Sequence, residues 1–193
     1  MPALRVRHLI LDRDGVLNAE APAGGYITSP EGWHWLPGAL DALALLARAG
    51  CRVSIATNQS GVGRGLMTRQ NLDAVHARMT SEAHAAGGCI DAVFACTHAP
   101  DAGCDCRKPA PGLIDAAVAA CDVPRVQTLV VGDDRRDIDA ARRAGVTAVL
   151  VLTGKGRAAA TALSQEGVPV YDDLHSLAQA LIAARAADGR DRA

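Results

Sequence analysis

The sequence predicts an α/β fold in which a mostly parallel sheet lies between layers of helices. Two observations carry this. Short apolar runs alternate along the chain with stretches whose apolar residues recur at helical spacing. Chemistry-bearing polar residues also stand just past four of those runs, at Asp12, Thr57, Cys96 and Asp133. Open parallel sheets bind ligands at the carboxyl ends of their strands, so the four positions point to one shared site.

The elements follow in order. Residues 6–11 read as the first strand, with Asp12 at its end. Residues 37–49 read as a helix, because Leu40, Leu43 and Leu46 recur on one face and Gly50 stops it. Residues 52–56 form a second strand that runs into Thr57, Asn58, Gln59 and Ser60. Thr68 is placed to cap a helix carrying Leu72, Val75 and Met79. A short strand at 92–95 precedes a Cys-rich loop, and Pro111 suits the first turn of a helix to about residue 120. Strands are expected at 128–131 and 148–152, with a helix at 136–144 between them that ends at Gly145. A short strand near Val168 and a helix at 174–187 complete the pattern, and residues 188–193 are expected to fray. With no repeats or linkers, residues 1–187 read as one domain.

Composition limits the classes of function. The 193 residues carry a net charge of -1, which supplies no basic footprint for nucleic acid. No stretch approaches the roughly 20 apolar residues of a membrane helix. The first apolar run is too short for a signal peptide and is broken at once by acids, so a cytoplasmic protein is expected. Nothing in the sequence demands more than a monomer. Aromatics make up only 3% of the chain, so Ala, Val and Leu must build the core.

The strand ends carry the chemistry. Asp12 and Asp14 are two carboxylates two residues apart, and Gly15 lets the backbone turn away. One can attack an electrophile or bind metal while the other acts as general acid and then base. A bare pair of this kind is more often a solvated turn, but its company reverses that reading. Thr57 and Asn58 can donate to phosphate oxygens, Arg107 and Lys108 supply two cations, and Asp133 supplies a third carboxylate. Hard carboxylate oxygens suit Mg²⁺, which also keeps water and substrate phosphate as ligands.

A second constellation is Cys96-Thr97-His98 with Cys104-Asp105-Cys106. Three thiolates and an imidazole make a complete tetrahedral set for Zn²⁺, with no position left open for catalysis. Its expected work is to staple the 96–106 loop, since Cys106 directly precedes Arg107. Cys51, Cys89 and Cys121 lack ligand spacing and read as packed or half-packed thiols.

The segments LDRDG, ATNQS, CRKPAPG and VGDDRRD resemble, in order, the four motifs of the haloacid dehalogenase-like (HAD) superfamily. The resemblance implies a Rossmann-like core without a large cap domain. It also implies roles: Asp12 as nucleophile, Asp14 as acid and base, and Thr57 and Lys108 as holders of the phosphoryl oxygens. Mg²⁺ would bind Asp12, Asp133 and the backbone carbonyl of Asp14, with Asp137 as support. Within the superfamily, ATNQSGVGRG, CTHAPDAGCDCRKPAPG and LTGKG resemble heptose-bisphosphate phosphatases and the related histidinol-phosphate phosphatases. That implies a small sugar-phosphate substrate, with histidinol phosphate or another small ester as the alternative. Substrate contacts are expected from Asn58, Gln59, Ser60, Arg64 and Arg107, and from Gly25 and Tyr26 in the loop after the first motif. A third reading is a zinc-stapled binding module with an inactive core.

Other positions receive plainer readings. Trp33 and Trp35 are expected to pack rather than border a sugar. His76 and His84 are expected on a solvated helix face, and His8 inside the first strand. The glycines around Arg64 fit a flexible turn or a phosphate-side loop equally well. Asp134 has no assigned role; some heptose phosphatases carry Lys there.

Overall fold

The computed structural model describes residues 6–21 and 25–190, with side chains through 187. Six parallel strands form one sheet in the order β3-β2-β1-β4-β5-β6. They are β1 His8–Leu11, β2 Arg52–Asn58, β3 Ala92–Cys96, β4 Thr128–Gly132, β5 Thr147–Val151 and β6 Val170–Tyr171. The helices are α1 Ala39–Arg48, α2 Arg69–Ala85, α3 Gly112–Ala119, α4 Arg135–Arg143, α5 Gly156–Ala162 and α6 Leu174–Arg190. The chain winds outward from β1 through β2 to β3, then returns to place β4 on the other side of β1. That reversal leaves a crevice past the carboxyl ends of β1 and β4, where ligands of such sheets bind.

The period-2 alternation of a strand decides which side chains enter which layer. Leu9 and Leu11 point into a core shared with Leu43, Leu46, Val75, Met79 and Leu177 of α1, α2 and α6. Ile10, between them, joins Ile114, Ala117, Ala140 and Ala141 of α3 and α4 on the opposite face. Both faces of β1 and β4 are buried, which is why these strands read as unbroken apolar runs.

Local signals set the helix ends. Gly50 and Gly145 take the left-handed φ of 67° just after α1 and α4. The Thr68 hydroxyl accepts from the Asn71 N–H and caps α2. Asp134 and Asp137 form a capping box at the start of α4, while Arg142 and Arg143 occupy its last turn.

Differences from expectation are local. β2 extends through Thr57 and Asn58, and β3 through Cys96, because parallel pairing with each other continues to those residues. The helix α5 was not expected: its Ala-rich stretch offers little apolar periodicity. The last strand is Val170–Tyr171 rather than near Val168, and α6 extends to Arg190. Residues 191–193 and 22–24 lie outside the described residues. The connections bordering the crevice, residues 12–38 and 97–111, hold no cap domain among the described residues, only one 3-10 turn at Pro30–Gly32.

Candidate active site

Asp12 leaves the end of β1 directly into the crevice. Its Oδ1 accepts from the Arg13 backbone N–H at 2.7 Å and lies 3.0 Å from Lys108 Nζ. Two donors on one oxygen fix the plane of the carboxylate. Lys108 is buried and also lies 2.6 Å from Asp137 Oδ1. Burial alone would depress the Lys108 pKa, but the two carboxylates override it and raise the value, so the ammonium stays charged. Asn58, expected to contact substrate, lines the cavity with its amide engaged by the Lys108 backbone. Its Oδ1 accepts from the Lys108 N–H at 3.1 Å and its Nδ2 donates to the Lys108 carbonyl at 3.0 Å. The end of β2 thus sets where Lys108 sits.

Asp133 leaves β4 beside Asp12. Two glycines make room for it: a Cβ on Gly15 would lie 2.0 Å from Asp133 Oδ2, and one on Gly154 2.1 Å from the same atom. The carboxylate accepts from the Lys155 N–H at 2.8 Å. Carboxylate oxygens of Asp12, Asp133 and Asp137 lie within 4.8 Å of one another. Burial and the Asp12 charge push Asp133 up to about 8, and burial above all pushes Asp12 up to about 6 despite Lys108. Three acids facing one ammonium leave a deficit of two positive charges. The donor set is all oxygen, so a divalent hard cation fits it. Asp137 has both oxygens engaged, Oδ1 by Lys108 and Oδ2 by the Asp134 N–H at 3.0 Å. That leaves Asp12 and Asp133 as the carboxylates open to a metal.

Asp14 is held by a separate set of donors. Its oxygens accept from Arg13 Nη2 at 3.0 and 3.1 Å, Asn18 Nδ2 at 2.9 Å and Gln59 Nε2 at 2.8 Å. Burial would raise the Asp14 pKa, but the Arg13 charge and these hydrogen bonds override it and hold the value below the usual carboxylate range. Gln59, expected to contact substrate, spends its amide on Asp14 and on Thr57 Oγ1 at 2.9 Å. Arg13 itself is fully buried, and no signal in the sequence separated it from a surface arginine.

Around these groups lies a polar cavity of about 210 Å³. Thr57, Ser60, Arg107, Arg136 and Lys155 line it, with Gly25 and Tyr26 at the rim loop. The Tyr26 hydroxyl lies 3.0 Å from Ser60 Oγ and accepts from Arg64 Nη1 at 3.1 Å, so Arg64 ties the rim loop to the β2 end. A Cβ on Gly63 would lie 2.6 Å from both the Ala99 N and the Thr97 O. Gly63 is therefore a close-packed bridge to the Cys-rich loop, Gly61 packs on Tyr26 and Met67, and Gly65 turns in open space at a φ of 69°. Arg107 Nη1 is buried with no hydrogen-bond partner, a cation waiting for an acceptor. Lys155 was missed as a site residue; the Thr153-Gly154-Lys155-Gly156 turn just past β5 was the available signal.

The zinc-like cluster is assembled. Cys96 Sγ lies 3.6 Å from Cys104 Sγ and 3.7 Å from His98 Nδ1. Cys106 Sγ lies 3.5 Å from Cys104 Sγ and 3.2 Å from His98 Nδ1. Bonds of about 2.3 Å to sulfur and 2.0 Å to nitrogen in a tetrahedron require edges of about 3.5–3.8 Å. Three of these distances match that size and the His98–Cys106 distance is about 0.3 Å short, so the set fits Zn²⁺ with a small adjustment.

Other expectations divide. Trp33 is fully buried and Trp35 donates to Glu82 Oε2 at 2.6 Å, so both pack. His8 is buried, with Nε2 2.9 Å from Ser54 Oγ. Cys89 is exposed rather than packed, because it follows the helix-ending glycines. His76 does not face solvent: it is half-buried with Nε2 3.2 Å from Arg13 Nη1. Asp134, left without a role, caps α4 and grips Arg136 through Nε at 3.1 Å and Nη2 at 2.8 Å.

The fold and the paired strand-end acids are those of a HAD-like hydrolase, and a family model described as HAD-hydrolase-like matches residues 105–177. Over 178 residues the chain is 43% identical to the D-glycero-β-D-manno-heptose-1,7-bisphosphate 7-phosphatase of Bordetella bronchiseptica, covering 90% of this chain and 97% of that one. It is 42% identical over 178 residues to the protein of the same name from Pseudomonas putida, covering 90% and 98%. A crystal structure of D,D-heptose 1,7-bisphosphate phosphatase from B. bronchiseptica, complexed with magnesium and phosphate, is similar at a TM-score of 0.87 and 42% identity, covering 92% of this chain and 99% of that chain. The chain belongs to the HAD superfamily and, within it, to the D-glycero-D-manno-heptose-1,7-bisphosphate 7-phosphatase family. No helix among the described residues is long and apolar enough to cross a membrane.

Proposed function

We propose that the chain hydrolyses the C7 phosphate of D-glycero-D-manno-heptose 1,7-bisphosphate through a phosphoryl-Asp12 intermediate. The observation that carries the reading is Asp12 itself, fixed at the switch point with Oδ1 3.0 Å from a buried ammonium and Asp133 beside it. The names of the similar bacterial phosphatases support the substrate and favour its β anomer.

In the first half-reaction an Asp12 oxygen bonds to phosphorus and the bond from phosphorus to the C7 oxygen breaks. Asp14, ionised in the free protein, takes up a proton as the monoprotonated phosphate ester binds and gives it to the leaving oxygen. The carboxylate this leaves is the form that Arg13, Asn18 and Gln59 already hold by donation. In the second half Asp14 takes a proton from water, whose oxygen bonds to phosphorus, releasing inorganic phosphate and free Asp12. Thr57 and Lys108 hold the phosphoryl oxygens throughout, and Arg107, with its unpartnered Nη1, binds the substrate. Asp12, Asp133 and the Asp14 carbonyl would hold Mg²⁺, which when bound would supply the charge that offsets repulsion between Asp12 and the phosphoryl group. Cys96, His98, Cys104 and Cys106 would hold Zn²⁺ in a structural role, because protein atoms would fill all four positions.

The test is kcat/KM for both anomers of the heptose bisphosphate against histidinol phosphate, with Mg²⁺ present. The heptose substrate is expected to win by at least about tenfold. A reversed preference of that size would replace the substrate, and no phosphate release from any ester would leave a zinc-stapled binding module.

A further inference from the structure

The reading of Asp14 as acid and base leaves open how its carboxylate is kept in place. Asn18 and Gln59 both turn their amide nitrogens to Asp14, and both leave their carbonyl oxygens buried without a partner. A buried unpaired carbonyl is unfavourable, so the orientation of each amide is set by what its nitrogen donates to: Asp14 and the Ala19 carbonyl for Asn18, Asp14 and Thr57 Oγ1 for Gln59. The third and only charged donor is Arg13, with the fork of Nε and Nη2 on Asp14.

A buried guanidinium must itself be oriented. The Arg13 guanidinium lies 5.8 Å from the centre of the Trp33 ring, which covers its face. Its remaining nitrogen, Nη1, meets His76 Nε2 at 3.2 Å. Arginine has no acceptor atom, so it donates and His76 Nε2 accepts, which places the imidazole proton on Nδ1. His76 is 63 residues from Arg13 in sequence, on α2, and its side chain makes no other hydrogen bond among the described residues. We infer that His76 is a positioning residue for the acid/base step, acting through Arg13 on the orientation of Asp14. The inference rests on the proposed role of Asp14.

Replacing His76 by Leu frees Nη1 and lets the fork swing off Asp14. Misplacement by about 1 Å can cost on the order of 100-fold, and the whole general-acid contribution is about 100- to 10,000-fold. The sensitive measurement is kcat/KM, which reports only the steps up to transfer of phosphate to Asp12. A sugar phosphate has a poor leaving group that needs the acid; p-nitrophenyl phosphate has a good one that does not. His76→Leu is expected to lower kcat/KM for the sugar phosphate about 10- to 100-fold and to change that for p-nitrophenyl phosphate less than about twofold. His76→Gln, which keeps an acceptor, is expected to restore the sugar-phosphate value to within about threefold of wild type. In an Asp14→Asn background His76→Leu is expected to have no further effect.

Parallel loss on both substrates, or an undiminished effect in the Asp14→Asn background, would show a merely structural role and overturn the inference. Full sugar-phosphate activity in His76→Leu would overturn it as well. Full activity in Asp14→Asn alone would instead overturn the acid/base reading on which it rests. If His76→Leu does not fold, His76→Ser is read in the same way.

Discussion

Replacing Asp133 by Asn should abolish catalysis and yet stabilise the Mg²⁺-free protein, increasingly so as pH rises. Asp133 is 2% exposed and stands beside Asp12 and Asp137, and burial and the Asp12 charge raise its pKa from 3.8 to about 8. A carboxyl whose folded pKa is raised favours folding fully below its unfolded value of about 4. It loses that contribution as pH climbs toward about 8, because the unfolded chain releases the proton first. Across pH 5 to 7 the loss is about 1.4 kcal/mol per unit, or about 3 kcal/mol in all. Asn keeps the shape and an acceptor for the Lys155 N–H but does not ionise. For a chain of this size 1 kcal/mol moves Tm by about 2–4 °C. The Tm advantage of Asp133→Asn should therefore widen by about 5–10 °C between pH 5 and pH 7, read by thermal unfolding in Mg²⁺-free buffer with zinc retained. Added Mg²⁺ at pH 7 should raise the wild-type Tm and leave the variant nearly unmoved. A constant gap across pH, or equal stabilisation of both proteins by Mg²⁺, would refute the argument that this carboxylate is an uncompensated charge awaiting a cation.

Three other outcomes follow from the same geometry. Lys108→Met leaves Asp12 and Asp137 without their shared ammonium, at a cost of about 3–5 kcal/mol, so Tm should fall by roughly 10 °C and turnover by about a thousandfold or more; steady-state assays and thermal unfolding check both. Gly154→Ala places a Cβ 2.1 Å from Asp133 Oδ2 at a φ of +54°. Calorimetry should show Mg²⁺ affinity reduced by at least about tenfold, while zinc content stays unchanged. Cys104→Ser should drop bound zinc below stoichiometric by elemental analysis and lower kcat/KM at least about tenfold, because the loop that aims Arg107 and Lys108 loses its staple.

The candidate site was legible because its polar groups stand at strand ends. Asp12, Thr57, Lys108 and Asp133 each follow or precede a recognisable element, and the four zinc-like ligands sit within eleven residues of chain. The supporting residues were harder to read. Asn58 and Gln59, expected as substrate contacts, line the cavity, but their amides face Lys108 and Asp14, a choice made by partners about 45 to 50 residues away. Asp134 received no role because capping is visible only once the start of α4 is located. His76 followed the polar face of α2 in the helical pattern, and only packing of that helix against the loop after β1 turned it toward Arg13.

The sequence by itself determined the α/β class, the four strand-end groups and the metal-ligand types, because periodicity and residue chemistry are local properties. Tertiary structure decided which groups meet. It brought β1 and β4 side by side, so that Asp12 and Asp133 share one charge deficit. It buried Arg13 behind Asp14, and it tied the Arg64 loop to the Cys-rich loop by close packing at Gly63. Charge and hydrogen-bond energies depend on distance and burial between residues far apart in sequence, and only the folded chain sets those.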